Sequence, residues 1–336
     1  MADGTLEWQD ILNRMDEGRK FLPIVNRIRQ VNEIVPHLRW MPANKKGYHT
    51  FLTRVQEPSG YWHARGAGLK SEHSETGIEV EGHGLLRGFS EIKDDYLRES
   101  AEPMTVKFQE DVAYMDGLSK TFTASIFYAS LANDARSLNG LATRLNSLSQ
   151  FNVEGGGVSG ANKAQSIWLI EHGGDGLFMI YNPDTTTAGI TMRSRPPQFV
   201  DHASDGGRVW THFTEFEFGF GMCIKYHRHV FRYANLNPGK GSVNLHGPQT
   251  NAGAYGGGNT FSLSTFIDLL AERWTKRGGR AYITRPMWAQ LNKAAMRTPG
   301  VELKYVEDTM GREVPSIFGT NFYTVEQIGN ETVVPA

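Results

Sequence analysis

The feature that most constrains the fold is one long helical pattern from about residue 103 to 131. Apolar side chains recur every three or four positions without a slip, and no proline follows Pro103, which suits a first helical turn with Ser100 or Glu102 near the cap. The repeat consists of Phe108, Val112, Met115, Leu118, Phe122, Ile126 and Ala129. At 1.5 Å per residue the helix is roughly 40 Å long. We predict that it is a structural spine.

Residues 46–93, just before this helix, predict a long β-hairpin. Residues 48–55 and 77–81 alternate between apolar and polar side chains, and the second run continues towards Leu85 and Phe89. The segment between the two runs is polar and glycine-rich. A hairpin with so few large aliphatic residues cannot bury both of its own faces. We therefore expect another surface to cover it.

Residues 1–45 have the character of an arm. A short amphipathic helix is predicted from about Thr5 to Asp16, and Pro23, Pro36 and Pro42 interrupt the rest of the arm. Eight basic and six acidic residues fall in 1–50, whereas 51–110 hold seven basic and eleven acidic ones. A mildly basic arm and an acidic hairpin suit contacts between copies of the chain. Packing of the arm on its own domain is the alternative.

The remainder is predicted to be mixed β and α/β structure, so the fold class is α+β. Predicted strands are Ser166–Ile170, Leu177–Tyr181, Arg208–Phe220, Cys223–Ala234 and Ala281–Thr284, with a hairpin of Val301–Val306 and Glu313–Phe318. Predicted helices are 264–277, with Phe266, Ile267, Leu270 and Trp274 inward, and 286–297. A glycine-rich loop occupies 237–259.

Candidate metal and nucleophile residues are sparse. His227 and His229 would share a face of a strand and could bind a metal, although no third ligand stands out. Glu79 and Glu81 could likewise bind Ca²⁺ or act as paired carboxylates, but a solvated hairpin face is the favoured interpretation. The single cysteine, Cys223, excludes an intrachain disulfide framework, and we expect a buried thiol. No cofactor and no metal are predicted.

An enzyme remains one hypothesis. Glu215 and Glu217 would share a strand face, as the paired carboxylates of a soluble β-rich carbohydrate-active enzyme do. That hypothesis leaves the arm and the hairpin unexplained. The sequence contains no apolar run of eighteen residues and no signal-peptide pattern near its start, so we expect no membrane partner.

Three stretches carry a family resemblance. The first is Phe122-Thr-Ala-Ser-Ile-Phe-Tyr-Ala-Ser with Leu138-Asn-Gly-Leu-Ala-Thr-Arg144. The second combines Gln165-Ser-Ile-Trp-Leu-Ile, Asp205-Gly-Gly-Arg and the run from Gly219 to Asn235. The third is Arg280-Ala-Tyr-Ile-Thr-Arg-Pro-Met-Trp-Ala-Gln-Leu, followed by Val314-Pro-Ser-Ile-Phe. In this order they resemble the major capsid proteins of tailed bacteriophages, specifically the short-tailed branch.

This resemblance implies the Johnson, or Hong Kong 97-type, fold. The implied parts are an N-terminal arm at 1–45, an extended loop at 46–93, a peripheral domain at 94–236 built on the spine helix, the loop at 237–259, and an axial domain at 260–336. In the family prototype the strand that matches 221–234 comes after the axial domain, so we hypothesise a rearranged strand order here.

The implied function is self-assembly as pentamers and hexamers into the icosahedral shell that encloses double-stranded phage DNA. The implied partners are other copies, a decoration or cement protein, the portal complex and packaged DNA contacted without sequence specificity. The implied location is the virion, after assembly in the host bacterial cytoplasm. The expected inter-subunit contact residues come from the arm and the hairpin: Trp8, Arg19, Lys20, Tyr61, Trp62, His63, Arg65, Glu72, Glu75, Glu79 and Glu81.

Overall fold

The computed structural model describes most of the chain. The described residues are 32–63, 65–66, 68, 71–100, 102–155, 164–184, 190–201, 207–237, 262–273, 279–297, 304–308, 311 and 313–335. The predicted arm helix and the glycine-rich loop beyond Asn237 lie outside them, as do Trp8, Arg19 and Lys20.

Five α-helices are described. They are α1 (Asp94–Glu99), α2 (Pro103–Tyr128), α3 (Leu141–Arg144), α4 (Leu263–Ala271) and α5 (Arg285–Arg297). The predicted spine helix is confirmed as the 26-residue α2, with Pro103 in its first turn. It ends earlier than predicted because Ala129 turns extended and its carbonyl accepts hydrogen bonds from the Gly140 amide and the Thr143 hydroxyl. The helix therefore ends at Tyr128, because the Ala129 carbonyl bonds to Gly140 and Thr143 rather than to a following helical turn.

Thirteen strands are found among the described residues, and they form two sheets. They are β1 (Trp40–Pro42), β2 (Tyr48–Gln56), β3 (Glu75–Lys93), β4 (Val153–Gly155), β5 (Gln165–Ile170), β6 (Leu177–Tyr181), β7 (Thr191–Asp201), β8 (Arg208–Ile224), β9 (Val230–Leu236), β10 (Arg280–Ile283), β11 (Lys304–Glu307), β12 (Glu313–Ile317) and β13 (Thr320–Thr324). The first sheet has the order β1-β6-β8-β3-β2, with β7 also paired to β8. The second has the order β11-β12-β13-β10-β5-β9-β4.

The predicted hairpin of residues 46–93 is the antiparallel pair of β2 and β3. From His83 onwards β3 leaves β2 and pairs instead with β8, with His83 opposite Gly221. The hairpin therefore projects from the first sheet as a continuation of one long strand.

The helix α2 joins the two sheets through aromatic packing. Its Phe122 lies edge-on to Phe218 at 4.8 Å and to Phe220 at 4.7 Å between ring centroids, both on β8. Near its end, Phe127 packs 5.8 Å from Trp168 on β5 of the second sheet. These fully or nearly fully buried rings make the helix the spine that the sequence predicts.

Several sequence predictions need correction. The predicted break between Phe220 and Cys223 is absent from the described β8, because Gly221 marks a close approach rather than a turn: a Cβ there would lie 2.5 Å from the Gly82 carbonyl oxygen. The chain turns at His227–His229, a short 3-10 helix, so these histidines do not share a strand face. Ile267, which was expected to face inward, is exposed, and so is Phe108 of the apolar repeat that predicts the spine helix.

The strands β7 and β13 lie in segments for which no strand was predicted. The paired prolines of β7 coincide with a register shift between Arg195 and Gln198, which breaks the alternation that would have revealed it.

The predicted domain boundaries and the rearranged strand order stay predictions. One pairing bears on the boundary at 237–259: β10, from the predicted axial domain, pairs with β5, from the predicted peripheral domain. The second sheet is thus built from both sides of that loop.

Candidate assembly surface

The root of the hairpin is fixed by a largely buried ion pair. Arg144, at the end of α3, donates from its two terminal nitrogens to the two carboxylate oxygens of Glu81 at 2.5 and 2.7 Å. The same guanidinium donates to the carbonyls of Asn139 and Met222. Both side chains are about one-fifth exposed or less. The paired hydrogen bonds between them connect β3 to α3, and the bond to Met222 adds β8, at the point where the hairpin leaves the sheet.

One side of β3 is covered along its sheet portion. A Cβ at Gly88 would meet Leu118 of α2 at 3.4 Å, and one at Gly84 would meet the Arg136 carbonyl oxygen at 2.9 Å. Since side chains alternate along a strand, the even-numbered residues of β3 face the helix and the turn after it.

The same side of β3 is open beyond Gly82. Ile78 is 70% exposed and Val80 is 58% exposed, and Leu52, which pairs with Ile78 across the hairpin, is 68% exposed. Three aliphatic side chains on one strand-pair face form a patch of the kind that marks an interaction site. We call Leu52, Ile78 and Val80 the open hairpin face.

The predicted contact residues lie along this hairpin, but they do not form one cluster. Trp62 is completely exposed, and Tyr61 lies beside His63 with ring centroids 6.3 Å apart. The carboxylate of Glu72 accepts a hydrogen bond from the Ser59 amide at 2.8 Å. Arg65 is exposed, Glu75 and Glu79 pair across the hairpin with Gln56 and Phe51, and Glu81 forms the ion pair with Arg144. The structure therefore gives Glu81 a contact within its own chain.

The opposite side of the first sheet carries exposed apolar and paired charged residues. Leu85 and Phe89 of β3 are about half exposed, and Phe89 stacks on Phe213 of β8 at 5.1 Å. Arg87 lies 3.1 Å from Glu217, and Arg195 donates to Glu215 at 2.6 Å. We call this side, the one away from α2, the outer sheet face.

The carboxylates of the enzyme hypothesis belong to that face. Glu215 and Glu217 do share a strand face, as predicted, but each is paired with an arginine. The hydrogen bond from Arg195 lowers the pKa of Glu215. An ionised, paired carboxylate cannot serve as a general acid.

The metal hypothesis is not supported. In the described parts of the chain, no group of three or more potential metal-binding side chains comes together. His229 instead bonds through Nδ1 to Glu171, whose other oxygen accepts from Arg273 at 2.7 Å. Cys223 is fully buried, as predicted, and burial raises the pKa of its thiol to about 12.

Sequence reasoning missed a buried ionic network at the chain end. Glu331 accepts from Arg232 at 2.6 Å and from Tyr128, the last residue of α2, at 2.7 Å. Arg232 also lies 4.8 Å over the Trp168 ring. The only sequence signal was a charged residue, Arg232, inside an apolar strand pattern, which indicates a buried partner without naming it.

Comparison with known proteins decides the family. The model of the major capsid protein GP7 family matches residues 16–334, which is nearly the whole chain. The chain belongs to the GP7 family of major capsid proteins. It is a structural protein that forms the shell of a phage virion, not an enzyme.

The chain is also similar to several solved structures. A chain of bacteriophage Epsilon15 is 19% identical, with a TM-score of 0.73, over 100% of this chain and 98% of its own. The bacteriophage JBD30 capsid, decorated with minor capsid protein trimers, aligns over 92% of this chain and 96% of its own at 10% identity and a TM-score of 0.44. The SrpI encapsulin of Synechococcus elongatus aligns over 67% and 96% at 8% identity and 0.42. No curated protein matches in sequence.

The predicted Hong Kong 97-type α+β fold and the capsid function are therefore confirmed. Within the described residues, no helix of this capsid protein is both long and apolar enough to cross a membrane.

Proposed function

We propose that this capsid protein assembles as pentamers and hexamers in which each hairpin overlies the adjacent subunit. The observation that carries the proposal is the open hairpin face. It continues the side of β3 that α2 covers, and it exposes Leu52, Ile78 and Val80. Side chains of this kind gain about 1.5–3 kcal/mol each when they are removed from water.

The outer sheet face of a neighbouring copy is the surface that fits. It lies on the opposite side of the sheet from the open hairpin face, so one copy can present one face while it receives the other. Such a head-to-tail contact between two different surfaces generates a closed ring when the rotation between neighbours closes, as it does in a pentamer or hexamer. The exposed Leu85 and Phe89 supply the apolar area of that surface.

The arm would add a second contact by clasping a neighbour through Trp8, Arg19 and Lys20. Around the tip, Tyr61, Trp62, His63, Arg65, Glu72, Glu75 and Glu79 would complete the hairpin contact. Glu81 would instead hold the hairpin at the correct angle through Arg144.

The remaining partners belong to the assembled particle. We propose that the shell, assembled in the host bacterial cytoplasm, encloses double-stranded DNA and joins a portal complex. A decoration protein would bind the outside. The near-zero net charge of -1 suits a non-repulsive inner wall rather than tight DNA binding.

The test is the double substitution Ile78→Ser with Val80→Ser. Because both side chains are exposed in the single chain, the unfolding midpoint and circular dichroism of soluble subunits should not change. The fraction of protein that sediments as shells should fall at least roughly tenfold, since each copy loses two apolar contacts.

The matched control is Tyr305→Ser with Val306→Ser on β11, which removes two exposed apolar side chains outside the proposed contact. It should leave shell yield within about twofold of wild type. Unchanged shell yield in the hairpin variant would show that the open hairpin face does not contact a neighbour.

A further inference from the structure

A chain of buried polar side chains lies where residues 32–38 meet the second sheet. His172 Nε2 is 2.7 Å from the Tyr282 hydroxyl, and that hydroxyl is 3.0 Å from His37 Nδ1. His37 Nε2 is in turn 3.3 Å from an Asp308 carboxylate oxygen. These four residues come from the end of β5, from β10, from the segment before β1 and from the end of β11.

The hydrogen-bond donors and acceptors of these four side chains can be assigned. The Tyr282 hydroxyl has a single proton, so it donates to one imidazole and accepts from the other. If it donates to His37, then His172 donates to it from Nε2, and His37 donates from Nε2 to Asp308. Each N–H and O–H proton of the series is then donated to an acceptor within it. Among the residues that the structure describes, His172 Nδ1 has no hydrogen-bond partner, so a further proton there would find no acceptor.

The cluster anchors the segment of residues 32–38. Ile34 of this segment is fully buried, and the Glu33 carboxylate accepts from the Thr324 amide at 2.6 Å. At the other end of the segment, His37 provides the polar attachment, and its ring lies 4.2 Å from that of Tyr323. Loss of the His37 bonds would remove this side-chain attachment, and the nearest polar attachment would then be the Arg39 carbonyl, which accepts from the Met179 amide at 2.7 Å.

The charged groups around the cluster have opposing effects on the protonation of His172. Arg280 of β10 disfavours a second cation, whereas Glu33 and Asp308 are acidic. On the far side of the strand end, Glu171 is already bound to His229 and Arg273. Burial, with the Arg280 charge adding to it, lowers the pKa of His172 to about 3.

We propose that the chain His172–Tyr282–His37–Asp308 is an acid-sensitive latch that holds residues 32–38 on the second sheet. Proton uptake at His172 creates a cation near Arg280 whose Nδ1 has no acceptor in the described structure, which favours breakage of these hydrogen bonds and release of the segment.

The direction of the pH effect follows from the difference in the His172 pKa between the closed and the open latch. A released His172 titrates near its ordinary pKa of about 6.5. Above that pH the histidine is neutral in both states and the latch holds fully. As the pH falls from about 6.5 towards 3, the open state binds the proton more readily, and opening is favoured by roughly tenfold per pH unit.

Hydrogen–deuterium exchange of the full chain between pH 4 and 7, corrected for intrinsic exchange rates, tests the latch. Protection of residues 33–38 should fall by roughly tenfold per pH unit below about pH 6. Protection of α5 should change much less. His172→Gln, whose amide still donates to Tyr282 but cannot take up a proton in this range, should remove the pH dependence.

His212→Gln is the control, because His212 is likewise a hydrogen-bonded histidine, with the Asp94 carboxylate as its partner, but it lies in the first sheet and outside the proposed latch. It should retain the pH dependence at residues 33–38. Constant protection in the wild-type chain across this pH range would overturn the proposal even if a variant failed to fold. Full pH dependence in a folded His172→Gln protein would also overturn it.

Discussion

Arg144 and Glu81 are 63 positions apart in sequence, yet the two hydrogen bonds between them hold the root of the hairpin in place. Because both side chains are mostly buried, removal of the arginine leaves a carboxylate without its partner. The cost of an unpaired buried charge is much larger than the gain from an exposed pair.

We therefore predict that Arg144→Ala lowers the free energy of unfolding by about 3 kcal/mol. Arg195→Ala breaks the pair with Glu215, in which the arginine side chain is 54% exposed, and should cost about 1 kcal/mol or less. Denaturant unfolding of the two soluble variants measures both values. Equal losses would show that the Arg144 pair is no more than a surface contact.

Residue-level roles were the least predictable from sequence. The hairpin followed from alternation and composition, whereas the partner of Glu81 did not, since nothing local relates residue 81 to residue 144. Glu331 and Arg232 show the same limit: a charge in an apolar strand indicates a partner, and only the fold supplies it.

At the scale of elements, β3 and β8 approach so closely at the hairpin root that glycine is required. A Cβ at Gly221 would lie 2.5 Å from the Gly82 carbonyl oxygen and 2.8 Å from a side-chain carbon of Ile180. Two residues earlier on the same strand, a Cβ at Gly219 would meet only Leu85, at an ordinary 3.6 Å.

Gly221→Ala should therefore destabilise the protein by about 1–3 kcal/mol, because the backbone of β3 must move to admit the methyl group. Gly219→Ala should change stability by less than about 1 kcal/mol. Thermal unfolding of both variants compares them directly. A larger loss at Gly219 than at Gly221 would contradict the close approach.

Elements with strong periodicity were predictable, and those set by distant pairing were not. The spine helix and the strand Leu177–Tyr181 follow directly from their patterns. The strand β8 was divided wrongly at Gly221, since a glycine required by a neighbouring backbone looks the same in sequence as one that ends a strand. The strand β13 is too short to show a clear sequence pattern, and it is specified by its pairing with β10 and β12.

At the scale of the whole molecule, the chain leaves apolar surface open on a projecting hairpin while its own core is well packed. Membership of the GP7 family makes this a shell-forming protein, and we propose that the open surface serves contacts within the shell. In our proposal, the open hairpin face and the outer sheet face are the two halves of one contact between copies.

A cryo-electron microscopy reconstruction of assembled shells tests this account most directly, because it shows what covers Leu52, Ile78 and Val80. The account predicts that these three side chains are buried against the face of a neighbouring copy that carries Leu85 and Phe89. A shell in which they remain open to solvent, with the hairpin away from the adjacent subunit, would contradict it.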